Sequence, residues 1–149
     1  MRTRFLRAER CFIVISGMAL WATACAKLIS ALLGQPILKL RDPVFSIPNR
    51  ELLLLVAACE FVGSAYCLFG ERRVRKLMVV NFLSAAMLVY RILRKATGFT
   101  GYDCPCLGAF QQWLPLDSGA LELVLKGLMA FMLAFSSAFC SLESCLSCR

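Results

Sequence analysis

The chain of 149 residues contains no histidine, so the side chain that most often serves as a catalytic base or metal ligand is missing. This absence excludes histidine-ligated haem and zinc sites, Ser-His-Asp triads and histidine proton relays. Acidic residues are also few, with nine Asp and Glu against 17 Lys and Arg. Any reaction of this protein must therefore use cysteine, carboxylate, lysine, arginine or tyrosine side chains.

Proline is absent from the four longest apolar runs, which cover residues 11–33, 51–69, 77–93 and 119–142. Each run is close to the roughly 20 residues that cross a bilayer as a helix. Hydrophobic residues make up 60% of the chain, whereas soluble domains contain about 45–50% apolar residues. We therefore predict an all-α integral membrane protein, a single domain over residues 1–149 that forms a four-transmembrane-helix bundle in the lipid bilayer.

Two clusters of basic residues predict the orientation of this bundle. They precede the first run and fill the link between the second and third runs: Arg2, Arg4, Arg7, Arg10, Arg72, Arg73, Arg75 and Lys76. The third link, about 96–118, has no basic residue, although Arg91, Arg94 and Lys95 border it. We predict cytoplasmic N- and C-termini, outward first and third links, and a multi-pass protein of the bacterial inner (cytoplasmic) membrane. Such clustering indicates membrane topology rather than nucleic-acid binding.

The first run also has features of a secretory signal peptide, because arginines precede it and Ala24-Cys25-Ala26 resembles a cleavage site. The apolar run continues beyond Ala26 to Leu33, as a retained membrane anchor does. We therefore expect the first run to remain in the protein.

Four ionisable residues lie inside the apolar runs, where charges are costly: Lys27, Glu60, Arg91 and Lys126. If the first two helices are antiparallel neighbours, Lys27 and Glu60 come within about one helical turn of each other. All four residues fall in the outer half of their runs, so we predict that they line a polar pocket that opens outward. The alternatives are that Arg91 and Lys126 extend to the surface as anchors, and that Lys27 and Glu60 only hold helices together.

The third link contains Cys104-Pro105-Cys106, followed by Leu107-Gly108. Two cysteines separated by one residue form a strained disulfide, which is easily exchanged. We therefore predict a redox-active pair, Cys104 and Cys106, that faces the oxidising periplasm. A static disulfide and a Cu(I) or zinc thiolate site are the alternatives, although two thiolates without histidine are an incomplete zinc site.

The chain has nine cysteines, so at least one of them is unpaired within it. A second close pair, Cys145 and Cys148, lies in the C-terminal tail, but no βαβ pattern surrounds it as in thioredoxins. The cysteines inside the apolar runs are expected to act as small hydrophobic residues: Cys11, Cys25, Cys59, Cys67 and Cys140.

Three features of this chain together resemble the DoxX-like and MauE-like bacterial membrane proteins, which are small four-helix proteins. They are Lys27-Leu28 near the end of the first helix, Glu60 within the second, and Cys104-Pro105-Cys106-Leu107-Gly108 before the last. The last stretch is similar to a C-x-C-(F/L)-G pattern in such proteins. The stretch from Asp42 to Arg50 also resembles the first loop of some members.

The resemblance implies a role in redox chemistry at the membrane. MauE-like proteins are associated with maturation of the disulfide-rich methylamine dehydrogenase in the periplasm, and DoxX-like proteins with quinone-linked sulfur oxidation. Quinone-linked disulfide-forming enzymes share the four-helix plan, but they carry a C-x-x-C motif at the quinone. The outward links of this chain contain no such motif, which argues against quinone, and the sequence identifies no cofactor.

Three functions fit these observations. The leading prediction is thiol–disulfide exchange through Cys104 and Cys106 with a periplasmic or membrane protein partner, as in a thiol–disulfide oxidoreductase. The alternative is a non-catalytic membrane subunit or assembly factor in which the cysteine pair is structural. A small-solute or metal transporter is a third class, but the sequence has no interrupted helix pattern or internal duplication to support it.

Overall fold

The computed structural model of the protein describes residues 2–33, 36–97 and 118–147. These residues form four α-helices: α1 (Arg2–Leu32), α2 (Asn49–Phe69), α3 (Arg73–Ala96) and α4 (Ser118–Ser147). A short 3-10 helix, Pro36–Lys39, lies between α1 and α2. Within these ranges there is no β-strand, only an isolated bridge between Arg41 and Pro48. The prediction of an all-α chain is confirmed for this part of it.

Three helical segments are long and apolar enough to cross a membrane, namely Arg7–Leu32 in α1, all of α2 and all of α3. In α4 the apolar stretch found in the described part is Lys126–Ser141, which is shorter than a full span. Many large apolar side chains are exposed along the three long segments, including Ile15, Val62 and Phe82. Helices of this kind are compatible with lipid contact, and the fourth span and the orientation of the termini stay predictions.

The helices extend beyond the apolar runs from which they were predicted. α1 begins at Arg2 rather than near residue 11, and α3 continues through Arg94 and Lys95 to Ala96. Hydropathy detects only the part of a helix that suits lipid, whereas arginine and lysine are themselves good helix formers. Charged ends therefore lengthen a helix without changing the apolar run inside it.

α1 and α2 form a closely packed antiparallel pair in which small residues face each other. A Cβ atom added at Gly17 would lie 3.3 Å from the Cβ of Cys67 and from the side chain of Leu68. The Ser64 hydroxyl donates a hydrogen bond of 2.8 Å to the Gly17 carbonyl. Small residues and interhelical hydrogen bonds are the usual means by which helices associate in lipid.

α3 and α4 form a second close pair, held in part by polar groups. The Oδ1 atom of Asn81 lies 3.1 Å from the hydroxyls of both Ser136 and Ser137, which donate to it. Contact between α2 and α3 is much less extensive than within either pair. The bundle is therefore two helix pairs, joined by the short turn of Gly70, Glu71 and Arg72.

The first link is fastened to α3 through Asp42. The backbone amides of Val44 and Phe45 donate to its Oδ1 atom at 2.9 and 3.0 Å, and the Tyr90 hydroxyl donates to Oδ2 at 2.5 Å. The Phe45 ring stacks on Tyr90, with ring centroids 6.0 Å apart and an interplanar angle of 9°. The C-terminal end of α3 therefore lies at the same end of the bundle as the first link.

The apolar residues of the first link have different surroundings. Leu38 is buried in a cluster with Ala31 of α1 and Leu53 of α2. Leu40 and Phe45 are exposed. The link thus closes over the end of the α1–α2 pair and presents two large apolar side chains outward.

Candidate functional site

The most distinctive polar feature of the described residues is a buried ion pair between α1 and α2. The Lys27 Nζ atom lies 2.5 Å from Oε1 and 2.6 Å from Oε2 of Glu60. Each side chain is 3% exposed, so water screens the pair very little. Lys27 and Glu60 meet because α1 and α2 are antiparallel, as the charges in the apolar runs had led us to expect.

Thr23 completes the surroundings of the Glu60 carboxylate. Its hydroxyl lies 3.2 Å from Glu60 Oε2 and 3.0 Å from the Leu20 carbonyl, and its single proton is shared between these two acceptors. Thr23 precedes Lys27 by one helical turn, so both side chains project from one face of α1. Sequence analysis did not identify Thr23, although its spacing of four residues from the buried lysine was a usable signal.

A small cavity of about 30 Å³ adjoins Glu60 where all four helices meet. Its polar wall consists of Glu60, Thr23 and Ser84, and three of its other lining residues are Met87, Met129 and Met132. A cavity of this size has room for about one water molecule, which would find hydrogen-bond partners there. The carboxylate is thus enclosed by the lysine on one side and a water-sized space on another.

Arg91 and Lys126, the other two predicted pocket residues, do not line this cavity. Both side chains are partly buried, Arg91 on α3 and Lys126 on α4. Their proposed role in an outward-opening pocket stays a prediction, as does that of Lys27 and Glu60.

The predicted redox pair, Cys104 and Cys106, lies outside the described residues, as does Cys148. Cys145 belongs to the last turns of α4. Five other cysteines of the helices are free thiols: Cys11, Cys25, Cys59, Cys67 and Cys140. Of these, Cys67 is buried, while Cys11 and Cys59 are exposed on the apolar surface.

No metal-binding cluster of three or more His, Cys, Asp or Glu residues occurs in ranges 2–33, 36–97 and 118–147. The ion pair can hold the helices together or polarise a bound water. The bidentate contact and the Thr23 hydrogen bond offset part of the several kcal/mol that burial of two charges costs.

Comparison with protein-family models, with curated proteins and with solved structures gives no significant match for this chain.

Proposed function

We propose that the protein is a four-span bacterial inner-membrane protein that exchanges disulfides with a periplasmic or membrane partner through Cys104 and Cys106. In this proposal both termini are cytoplasmic, and α4 is the fourth span. The resemblance to DoxX-like and MauE-like proteins belongs to the same proposal and rests on Lys27, Glu60 and the Cys104–Gly108 stretch.

One structural observation carries the proposal, namely the hydrogen bond between Tyr90 and Asp42. It ties α3 to the first link, so the chain leaves α3 toward residues 98–117 at the end of the bundle that the first link covers. Lys27 lies roughly 8 Å along α1 from this end, at about 1.5 Å per residue. A thiol pair in the third link would then share one end of the bundle with an ordered first link and a buried charge pair.

The exchange itself balances without a third reactant. A thiolate of the partner attacks one sulfur of the Cys104–Cys106 disulfide, a mixed disulfide forms, and the other cysteine leaves as a thiolate. A second partner thiolate then attacks the mixed disulfide. The partner gains one disulfide, and the pair keeps two electrons as a dithiol.

Trapping tests this reaction directly. The same exchange in reverse begins when the Cys104 thiolate attacks a disulfide of the oxidised partner and one partner cysteine leaves as a thiolate. With Cys106→Ser, the resulting mixed disulfide lacks the neighbouring thiol that would resolve it, so we expect a covalent complex on non-reducing gels that reductant dissolves. The matched control is Cys59→Ser, which removes an exposed thiol from α2 and should trap nothing. Absence of a complex, together with unreactive Cys104 and Cys106 in native membranes, would contradict the exchange.

A second candidate function is a non-catalytic assembly factor or subunit. It is favoured by the first link, where the exposed Phe45 stacks on Tyr90 and the buried Asp42 accepts a hydrogen bond from the same tyrosine. It is also favoured by an ion pair with almost no exposed area. A double variant, Cys104→Ser with Cys106→Ser, separates the two functions. Full activity of the partner system in that variant would support the assembly role and exclude disulfide exchange.

A further inference from the structure

The side of the bundle between α2 and α3 carries an open groove. Because the two helix pairs meet loosely there, an apolar groove of about 700 Å³ runs between them. It begins near the α2–α3 turn, at Tyr66 and Met78, and extends along α2 to Leu55, while its lining on α3 ends at Leu83. Both walls belong to segments that are long and apolar enough to cross a membrane.

The groove has the length of one leaflet. From Leu55 to Tyr66 it runs roughly 17 Å along α2, at about 1.5 Å per residue. The hydrocarbon core of a bilayer is about 30 Å thick, so the groove spans about half of it. A hydrocarbon chain is thin enough to enter a groove of this volume.

Four basic residues lie at the end of the groove next to the α2–α3 turn: Arg72, Arg73, Arg75 and Lys76. Glu71 is the only acid among them. Arg75 precedes Met78 and Val79 by three and four residues, which puts it on the helix face that lines the groove. Arg72 and Arg75 are exposed, and within the described ranges none of the four cations makes an ion pair.

We propose that this groove and turn form a binding site for one anionic phospholipid of the leaflet on the turn's side. An acyl chain fills the groove between α2 and α3, and the phosphate lies against Arg72 and Arg75. Charge complementarity selects the head group, because arginines at the membrane surface attract anionic lipids. The apolar walls of the groove, which extend through about one leaflet, bind the acyl chain. The site does not depend on the thiol chemistry proposed above.

The selectivity for anionic lipid can be measured with spin-labelled lipids. Spin-labelled phosphatidylglycerol or phosphatidylcholine is added to phosphatidylcholine vesicles that contain the whole protein, and the immobilised fraction of each is compared. The wild-type protein should immobilise phosphatidylglycerol preferentially. Each arginine contributes about fivefold, so Arg72→Gln with Arg75→Gln should lower the preference about 25-fold. The control, Arg7→Gln with Arg10→Gln, removes the same charge from exposed positions at the same end of the bundle and should leave the preference largely intact.

A second pair of variants tests the groove itself. Ala58→Phe fills the groove and should reduce immobilisation of both lipids, whereas Ala65→Phe alters an exposed position of α2 outside it and should not. Equal immobilisation of the two lipids by the wild-type protein would overturn the proposal. So would a dimer that retains no lipid in native mass spectrometry, because a second copy would then cover the groove.

If the glutamine variant fails to accumulate, the salt dependence of lipid binding by the wild-type protein still tests the role of the arginines. Raising the salt concentration from about 0.1 M to about 1 M shortens the screening length from about 10 Å to about 3 Å and should weaken the preference. A preference that salt does not change would contradict a phosphate held by arginines.

Discussion

Tyr90, on α3, donates a hydrogen bond of 2.5 Å to the carboxylate of Asp42, which lies 48 positions earlier in the chain. The same carboxylate accepts the amides of Val44 and Phe45, so one side chain shapes the first link and fastens it to a helix of the other pair. Loss of either Tyr90 or Asp42 should therefore loosen the whole first link rather than a single contact.

Tyr90→Phe should release the first link while leaving the Phe45 ring stacked. A hydrogen bond to a charged group contributes about 1.5–3 kcal/mol, and most of that should appear as faster amide exchange at Val44 and Phe45. Hydrogen exchange read by mass spectrometry checks this. Tyr66→Phe, which removes a hydroxyl at the groove of α2, is the control and should leave exchange in the first link unchanged.

Removal of one partner of the Lys27–Glu60 pair should destabilise the bundle strongly. Lys27→Met leaves an uncompensated buried carboxylate and should cost about 3–5 kcal/mol, whereas Lys27→Met with Glu60→Met should be far less harmful. Unfolding in mixed detergent micelles measures both. Glu51→Gln, at an exposed acid of α2, is the control for loss of a carboxylate. If the double variant is as unstable as the single one, the pair does not act as a coupled unit.

Glu60→Gln separates a functional from a structural role of the same site. Because the amide can still accept hydrogen bonds from Lys27 and Thr23, Glu60→Gln should cost less stability than Lys27→Met, which leaves the carboxylate with no partner in place of the lysine. We therefore expect function to fall more than the amount of protein in the membrane. Activity of the partner system and membrane accumulation should be measured together. An inactive variant that also fails to accumulate would favour a purely structural role.

Thr23→Val should weaken the hold on Glu60 without changing the size of the side chain. The lost hydrogen bond to a carboxylate should lower stability by about 1.5–3 kcal/mol. Thr23→Ser keeps the hydroxyl and should stay close to wild type in the same unfolding measurement. Equal losses in both variants would mean that the threonine methyl group contributes as much as its hydroxyl.

Gly63 and Gly127 offer a matched pair of glycine substitutions. A Cβ at Gly63 would clash with Leu83 Cδ1, the end of a flexible side chain, so Gly63→Ala should displace the Leu83 side chain at a cost of about 1 kcal/mol. Nothing lies within 4 Å of a Cβ at Gly127, and Gly127→Ala should be neutral or stabilise α4 by up to about 1 kcal/mol. Leu83→Ala should relieve the Gly63→Ala variant.

Charge in an apolar run was the most useful sequence signal. It marked Lys27 and Glu60 because a lone charge in lipid demands a partner, and antiparallel neighbours limit where that partner can be. Tyr90 and Asp42 gave no such signal, since a tyrosine near a helix end and an aspartate in a turn are both ordinary. Their contact depends on how the two helix pairs pack together, which periodicity does not encode. Hydropathy likewise located α1 and α3 but missed their charged ends.

The ion pair also has a consequence for how the chain is made. Lys27 and Glu60 are separated by 33 positions, so Lys27 is synthesised well before its partner exists. At about 5–20 residues per second, this interval lasts about 2–7 s. During it, α1 carries an unpaired ammonium group that disfavours release into lipid, and the arrival of α2 removes that penalty. The first two helices are therefore expected to leave the insertion machinery together, as one unit.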